Sequence, residues 1–262
     1  MPRLIGPRLR AAALLAGLAL LLGLLVVQPE VLSPEGCEHL RLLAESQRYR
    51  HWDLIGTIAF AVYGFSTAVQ RRYDLWGAFV LTLLPAVGGG VIRDLLIGAD
   101  RFPLPLFRDP TYLLVILAVV VIGALVTRRL GPGALQAGWL ARLLLVADGI
   151  GLASFAVIGT RVALLADLPW YWLPFSAAVS CTGGGTLMDI ATGREPRTFQ
   201  GEPYEEIALL GSLLLLVLWA LLDRVLPGAV AVMVAMPVAW LAMLLARLLV
   251  VQRRWRSWRL GD

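Results

Sequence analysis

The sequence predicts an all-α integral membrane protein. Of its 262 residues, 59% are hydrophobic and 16% are charged, and the mean hydropathy is +0.77. A soluble domain carries about 45–50% apolar and about 25% charged residues, so this composition excludes a soluble enzyme, a nucleic-acid-binding module and a disulfide-rich scaffold. Two further observations predict the fold: the apolar residues form long runs, and part of the sequence is repeated.

Eight apolar stretches are long enough to cross a bilayer, which takes about 20 residues. They are Ala11–Val27, Trp52–Gln70, Leu75–Ile97, Tyr112–Thr127, Leu144–Ala166, Trp170–Ala191, Ile207–Leu222 and Ala229–Val251. Arginines precede the first stretch, as in a signal peptide, but no small-residue cleavage site follows it. We therefore expect an uncleaved N-terminal anchor.

The spans group into four segments. These are an N-terminal anchor with an external segment (residues 1–51), a first three-helix unit (52–130), a second three-helix unit (143–225), and a closing helix with a basic tail (228–262). The predicted architecture is thus a 3+3 helix arrangement with one closing helix, preceded by an extra anchor.

Arginines in the short loops predict the orientation, because cytoplasmic loops carry an excess of positive charge. With the N-terminus inside, the cytoplasmic loops contain Arg71, Arg72, Arg128, Arg129, Arg142, Arg194 and Arg197. Both termini are then cytoplasmic. The tail residues Arg253, Arg254, Arg256 and Arg259 are predicted to contact anionic lipid, although a positive flank that stops translocation is a simpler interpretation.

An internal repeat relates the two three-helix units. DLIGTIAFAVYG, which begins at Asp53, matches DGIGLASFAVIG, which begins at Asp148, and GGGVIRDLLIG at Gly88 matches GGGTLMDIATG at Gly183. Each match has the same offset of 95 residues. Because three spans separate equivalent positions, the second copy must cross the membrane in the opposite sense. The sequence therefore predicts an inverted-topology repeat, as found in many transporters.

Two glycine triplets, Gly88, Gly89, Gly90 and Gly183, Gly184, Gly185, lie inside predicted spans. Each glycine in a helix interior costs about 1 kcal/mol relative to alanine. One interpretation is a broken helix whose freed backbone groups line an ion or solute path. The alternative is close helix packing. The symmetric placement, with an acidic residue after each triplet, favours the broken helix.

Ionisable residues follow the triplets inside the spans. Arg93 and Asp94 follow the first triplet, whereas the second copy keeps Asp189 and has Met188 in place of the arginine. Such residues usually face a cavity or pair with each other. We expect Arg93 or Arg161 to pair with Asp189, the alternative being that the charged groups reach the hydrated interface.

The sequence indicates a role less strongly for Arg161 and for the aspartates that open the repeats. Arg161 is a candidate electrostatic barrier or anion-binding group in the path, or it reaches the outer interface. Asp53 and Asp148 open equivalent helices, and we interpret them as helix caps because a carboxylate suits a helix N-terminus. No Ser-His-Asp set, phosphate loop, catalytic carboxylate pair or metal-ligand pattern is found. The sequence predicts no enzyme, cofactor or metal site.

These motifs resemble a known family. With GTIAFAVYG, GGGVIRD, FAVIGT and GGGTLMD, the segment from Asp53 to Val251 is similar to the bacterial family related to trimeric intracellular cation (TRIC) channels, also called the glycine transporter domain. The resemblance implies a homotrimer in the bacterial inner membrane, one pore per protomer lined by kinked second and fifth helices, and monovalent cation permeation favouring potassium. The pore residues carried over are Gly88, Gly89, Gly90, Arg93, Asp94, Gly183, Gly184, Gly185 and Asp189, with Met188 as the departure.

Three functions fit the sequence. The first is a passive cation channel, in which Asp94 and Asp189 concentrate cations and backbone carbonyls replace part of the hydration shell. The second is a secondary transporter of glycine or another small zwitterionic solute, held by helix N-termini and an acidic residue. The third is an assembly or regulatory membrane protein, in which the glycines serve only packing. We favour the channel.

Overall fold

The structure, a computed structural model, describes residues 47–98, 105–130 and 138–257. Within these ranges every regular element is helical, and seven helices are longer than four residues. They are α1 (Gln47–Gln70), α2 (Leu75–Ile97), α3 (Pro110–Leu130), α4 (Gly138–Leu165), α5 (Leu173–Ala191), α6 (Glu205–Leu222) and α7 (Gly228–Gln252). Single turns at Pro105–Arg108, Trp170–Trp172 and Arg197–Phe199 stand in the connections.

The helices follow the predicted spans closely. Of the seven described helices, six are long and apolar enough to cross a membrane by length and composition. The exception is α5, whose glycines, serines and threonines lower its hydropathy. Because α5 packs against α2, α4 and α6, protein rather than lipid surrounds these residues. The predicted anchor Ala11–Val27 lies outside the described residues.

The packing of the seven helices places α2 and α5 at the centre. These two helices make the most extensive contact in the described molecule, and α1 packs against α4 beside them. Helix α3 packs on α1 and α2, and α6 packs on α4 and α5. Helix α7 closes the bundle against α6 and α4.

The prediction that the glycine triplets break their helices is wrong. Helices α2 and α5 run without interruption through both triplets, even with Pro85 inside α2. The glycines instead let the two helices cross in close contact. A Cβ atom built on Gly89 would lie 2.1 Å from the Ser180 carbonyl oxygen, and one on Gly184 would lie 2.7 Å from the carbonyl oxygens of Leu84 and Pro85.

The ends of α1 and α4 have the same geometry, 95 residues apart in the sequence. Arg72 and Asp167 both adopt a left-handed conformation, with φ of 57° and 55°. The N–H of Tyr73 donates to the Ala68 carbonyl and that of Leu168 donates to the Ala163 carbonyl, each at 3.1 Å. Both helices therefore end in the same hydrogen-bonded turn.

Candidate functional site

The first of two aspartate cavities lies between α1, α2 and α3. It is lined by Asp53, Thr57, Ala86, Val87, Gly90, Val91, Arg93, Asp94, Tyr112 and Phe155. The Tyr112 hydroxyl donates a hydrogen bond to the Asp53 carboxylate. Arg93 donates from Nε and Nη2 to Asp94 Oδ1, at 3.0 and 2.9 Å. Both partners of this ion pair are more than nine-tenths buried.

The second cavity lies beside α4 and α5 and beneath the connection from α5 to α6. It is lined by Phe60, Tyr63, Pro85, Asp148, Cys181, Thr182, Gly185, Thr186, Asp189, Arg197, Thr198, Tyr204 and Glu205. Asp148 and Asp189 are both buried, at 5% and 4% exposure. The cavity thus combines two buried carboxylates with several hydroxyl groups.

Equivalent sequence positions line the two cavities. Seven pairs related by the 95-residue offset have one member in each cavity: Asp53 and Asp148, Phe155 and Phe60, Ala86 and Cys181, Val87 and Thr182, Gly90 and Gly185, Val91 and Thr186, and Asp94 and Asp189. The third glycine of each triplet lines a cavity, whereas the first two lie at the helix crossing. A Cβ atom on Gly185 would meet nothing within 4 Å.

The cavities lie at opposite ends of the bundle. Asp53 is near the start of α1, in the first cavity. At the other end of this helix, Arg71 Nη1 donates to the Thr192 carbonyl oxygen at 2.8 Å, and Thr192 directly follows α5, three residues beyond Asp189. The 18 residues from Asp53 to Arg71 correspond to about 27 Å of helix at 1.5 Å per residue.

Two stacked phenylalanines stand between the cavities. Phe60 lines the second cavity and Phe155 lines the first. Their ring centroids are 5.3 Å apart, with an interplanar angle of 15°, and both side chains belong to the buried core. This aromatic pair and the glycine crossing are the apolar parts of the bundle that separate the two cavities.

An ion-pair network surrounds Asp148. Arg247, on α7, donates from Nε to Asp148 Oδ2 at 3.0 Å, and its Nη2 lies 2.9 Å from the same oxygen. Its Nη2 also lies 3.1 Å from Glu202 Oε2. Arg197 Nη1 is 3.4 Å from Asp148 Oδ1, and the Tyr204 hydroxyl donates to the same oxygen at 3.4 Å. One buried carboxylate thus ties α4 to α7 and to the α5–α6 connection.

The α5–α6 connection is held in place over the second cavity. The Arg197 guanidinium lies 4.6 Å from the centre of the Tyr63 ring, and burial raises the pKa of the Tyr204 hydroxyl well above its usual range. The phenol therefore stays protonated and available as a donor. After α7, the Ser257 N–H donates to the Gly201 carbonyl oxygen at 2.8 Å, so the C-terminal tail also contacts this connection.

The predicted partner of Asp189 is wrong. Neither Arg93 nor Arg161 pairs with Asp189. Arg93 pairs with its neighbour Asp94, and Asp189 accepts the backbone N–H of Arg197 at 3.3 Å. Arg161 instead lines a separate, largely apolar pocket that also includes Leu216 and Trp219.

The helix-cap interpretation of Asp53 and Asp148 is also wrong. Helices α1 and α4 begin upstream of these residues, at Gln47 and Gly138. The carboxylates therefore lie within the helices and bind side chains from other elements. The apolar runs that were used to predict the helix starts begin later than the helices themselves.

Arg247, Tyr112 and Tyr204 are the residues that the sequence prediction missed. Arg247 had a usable signal, because it is an arginine within the apolar run of α7 and such residues usually pair in the protein interior. The tyrosines had no comparable signal, since tyrosine at a helix start is common near a membrane interface. Of the predicted pore residues, Gly90, Arg93 and Asp94 share the first cavity, and Gly185 and Asp189 share the second.

Known proteins resemble the chain in sequence and in structure. The sequence model of the family described as "Glycine transporter" matches residues 50–128 and 145–220. The chain is 34% identical over 171 residues to the UPF0126 membrane protein YvgT of Bacillus subtilis, covering 64% of this chain and 81% of that protein. The TRIC trimeric intracellular cation channel orthologue from Rhodobacter sphaeroides matches with a TM-score of 0.67 and 28% identity, over 79% of this chain and 98% of that one. The chain belongs to the TRIC-like family.

Other relatives agree with this TRIC-like assignment. The UPF0126 inner membrane protein YadS of Escherichia coli K12 is 31% identical over 164 residues, which cover 62% of this chain and 75% of that protein. A solved structure described as the "Structural basis for conductance through TRIC cation channels" also matches. Its TM-score is 0.67 and its identity is 27%, over 81% of this chain and 97% of that one. The TRIC-like chain, with its apolar helices, is a membrane protein. Its relatives are described as membrane proteins and cation channels, and not as enzymes.

Proposed function

We propose that this TRIC-like chain forms a passive channel for monovalent cations, favouring potassium, with one path in each protomer. The observation that carries the proposal is the pair of aspartate-containing cavities at opposite ends of the α2–α5 crossing. Aspartates concentrate cations, and an apolar constriction between hydrated ends can gate conduction by excluding water. The stacked Phe60 and Phe155 rings are the proposed constriction.

The similarity to TRIC structures supports the cation as the permeating species. Two solved structures at 27% and 28% identity are described as TRIC cation channels. The charges that line the cavities also favour cations, since five carboxylates outnumber two arginines, Arg93 and Arg197. The carboxylates are those of Asp53, Asp94, Asp148, Asp189 and Glu205. The kink at the glycine triplets stays a prediction.

An inverted repeat is the proposed origin of the two cavities. Contacts recur at the 95-residue offset in the cavity linings and in the helix ends at Arg72 and Asp167. With arginine-rich loops inside, both termini are cytoplasmic, and the second cavity faces the cytoplasm of a bacterium. The proposed units are residues 52–130 and 143–225, with 228–262 as the closing segment and 1–51 as the anchor.

A homotrimer and a lipid contact complete the proposal. The Rhodobacter sphaeroides relative is described as trimeric, so we expect a protein mass of three times 28.5 kDa by light scattering after correction for detergent. A monomer mass would contradict the trimer.

The basic tail is proposed to contact anionic lipid through Arg253, Arg254 and Arg256. Arg259, which lies outside the described residues, is proposed to do the same. A lower affinity for anionic vesicles after their substitution by glutamine would support this contact, and an unchanged affinity would contradict it.

Transport of glycine or another zwitterion is the alternative. The second cavity holds both Asp189 and Arg197, so it offers an acceptor for an ammonium group and a donor for a carboxylate. The family description "Glycine transporter" points to the same class of solute.

Flux in proteoliposomes distinguishes the two functions. Potassium efflux down a gradient and uptake of labelled glycine are measured in parallel, with protein-free liposomes as the control. The channel predicts potassium flux that does not saturate and that reverses at the potassium equilibrium potential. Saturable glycine uptake without potassium conductance would overturn the proposal in favour of the transporter, and the absence of both fluxes would contradict both functions.

A further inference from the structure

We infer that the second cavity, and not the first, binds the permeating monovalent cation and sets its selectivity, through the hydroxyl groups of Thr182 and Thr186 and the carboxylate of Asp189. The inference rests on the proposed channel function. The three side chains line the same cavity, and we infer that they bind the cation together.

The two cavities differ in polarity at equivalent positions. Thr182 and Thr186 face the second cavity, whereas Val87 and Val91 take their places in the first. A threonine and a valine have nearly the same shape, so the main difference is the oxygen atom. The first cavity therefore lacks these two neutral oxygen ligands.

The carboxylates of the two cavities also differ in their partners. Asp94 is paired with the adjacent Arg93, at 2.9 Å. At the position equivalent to Arg93, the second copy has Met188, which packs in an apolar cluster with Phe65 and Leu81. As a result, Asp189 accepts a single backbone hydrogen bond, from Arg197.

The arginines near Asp189 do not neutralise it by contact. Among the described residues, no arginine side chain lies within ion-pair distance of its carboxylate. The Arg197 guanidinium is directed instead at Asp148 and the Tyr63 ring, and Arg71 binds the Thr192 carbonyl oxygen. The negative charge of Asp189 therefore stays available in the second cavity.

The threonine geometry suits cation coordination. Thr182 Oγ1 donates its hydrogen to the Ala178 carbonyl oxygen at 2.9 Å, which leaves the lone pairs of the hydroxyl free to accept. Oxygen ligands of this kind replace the hydration shell of a permeating ion. A carboxylate without an arginine in contact, together with neutral oxygens, suits a monovalent cation.

Exchange of hydroxyl and methyl groups between the cavities tests the inference. We would record currents in planar bilayers with potassium on one side and sodium on the other, and derive the permeability ratio from the reversal potential. In Thr182→Val/Thr186→Val, loss of the hydroxyl ligands is expected to change this ratio by about fivefold, the factor that corresponds to one ordinary hydrogen bond. Val87→Thr/Val91→Thr is expected to change it less.

Two control variants and a comparison of two aspartate variants complete the test. Thr186→Ser keeps the hydroxyl, so its permeability ratio is expected to lie closer to the wild-type ratio than that of Thr186→Val does. Thr127→Val removes a helix threonine outside both cavities, which makes the same type of bond to the Gly123 carbonyl oxygen, and it is expected to have no effect on selectivity. Asp189→Asn is expected to lower cation conductance more than Asp94→Asn does.

The outcomes separate the inference from the proposed function. A wild-type cation current with an unchanged ratio in Thr182→Val/Thr186→Val would overturn the inference alone. An equal or larger change in Val87→Thr/Val91→Thr would do the same, since it would place selectivity in the first cavity. A wild-type protein that inserts but carries no cation current would contradict the channel itself and the inference with it.

Discussion

At the scale of single residues, the buried charges have three different kinds of partner. Asp94 is paired with its sequence neighbour Arg93, Asp148 with the distant Arg247, and Asp189 with a backbone N–H. A charge taken out of water is costly unless it is paired and hydrogen-bonded. The stability of the bundle therefore depends on the partner that each aspartate has.

Removal of the Arg247 charge is predicted to destabilise the protein strongly. Arg247 is 3% exposed, donates a hydrogen bond from Nε to Asp148 and has Nη2 2.9 Å from the same carboxylate oxygen. Breaking a buried ion pair by losing one partner costs about 3–5 kcal/mol, because the other charge stays buried. Arg247→Met should therefore lower the midpoint of thermal unfolding in detergent, followed by tryptophan fluorescence.

A double variant identifies the cause of that loss. In Asp148→Asn/Arg247→Met, position 148 no longer carries a buried charge that needs Arg247, so this variant should be more stable than Arg247→Met alone. Arg142→Met, at an exposed position, serves as the control and should unfold like the wild type. Equal stability of the single and double variants would show that the ion pair is not what Arg247 contributes.

The sequence allowed some of these partners to be predicted and not others. Arg93 and Asp94 are adjacent, so their pairing follows from the sequence alone. Asp148 and Arg247 are 99 residues apart, and no local pattern connects them. The expectation that Arg93 would bind Asp189 failed because a neighbouring carboxylate satisfies the guanidinium locally.

At the scale of helices, the glycine triplets determine how closely α2 and α5 approach. The first two glycines of each triplet face the other helix, and the third faces a cavity. A methyl group on Gly89 or Gly184 would collide with backbone oxygen atoms of the other helix, which cannot move away as a side-chain end can. A methyl carbon on Gly90 would meet only a side-chain end, Arg93 Nη2, at 3.6 Å, which is an ordinary contact distance.

Alanine substitutions at the second and third glycines of each triplet are predicted to have opposite effects on stability. Gly89→Ala and Gly184→Ala should destabilise the protein by about 1–3 kcal/mol through overpacking. Gly90→Ala and Gly185→Ala should keep or raise stability, because alanine is the better helix former by about 1 kcal/mol. Thermal unfolding of the four variants tests this, and equal losses at all positions would rule out the helix crossing as the role of the first two glycines.

Hydropathy predicted the described helices well and their local geometry less well. The bounds of α2, Leu75–Ile97, agree with the predicted span. The predicted break was wrong because glycine and proline interrupt a helix only where packing contacts do not compensate for the flexible backbone and the missing hydrogen bond. Here Gly64 lies against the Leu81 carbonyl oxygen, the group that Pro85 leaves without its usual helical donor, so close packing accommodates an unbroken α2.

At the scale of the whole molecule, the two ends of the protomer have similar linings but different closures. The first cavity is completed by residues of its own three-helix unit, Tyr112 and Arg93. The second is closed by Arg197 and Tyr204, which lie in its own unit, and by Arg247 on α7. The repeat predicts the shared lining, but the contact of Arg247 comes from the closing helix, which lies outside both repeat units.

Sided thiol modification tests most directly whether the two cavities belong to one cation path. Val91 and Thr186 are equivalent, half-buried positions in the first and second cavities. Each would be replaced by cysteine in a Cys37→Ser/Cys181→Ser background. The background protein serves as the control. Currents would be recorded in planar bilayers while a charged, membrane-impermeant thiol reagent is added to one side at a time.

A single cation path through both cavities predicts block from opposite sides. The reagent should reduce the current of the Val91→Cys channel from one side only and that of the Thr186→Cys channel from the other side only, with no effect on the cysteine-free background. Block of both channels from the same side, or currents that the reagent leaves unchanged at both positions, would contradict a cation path through the two cavities.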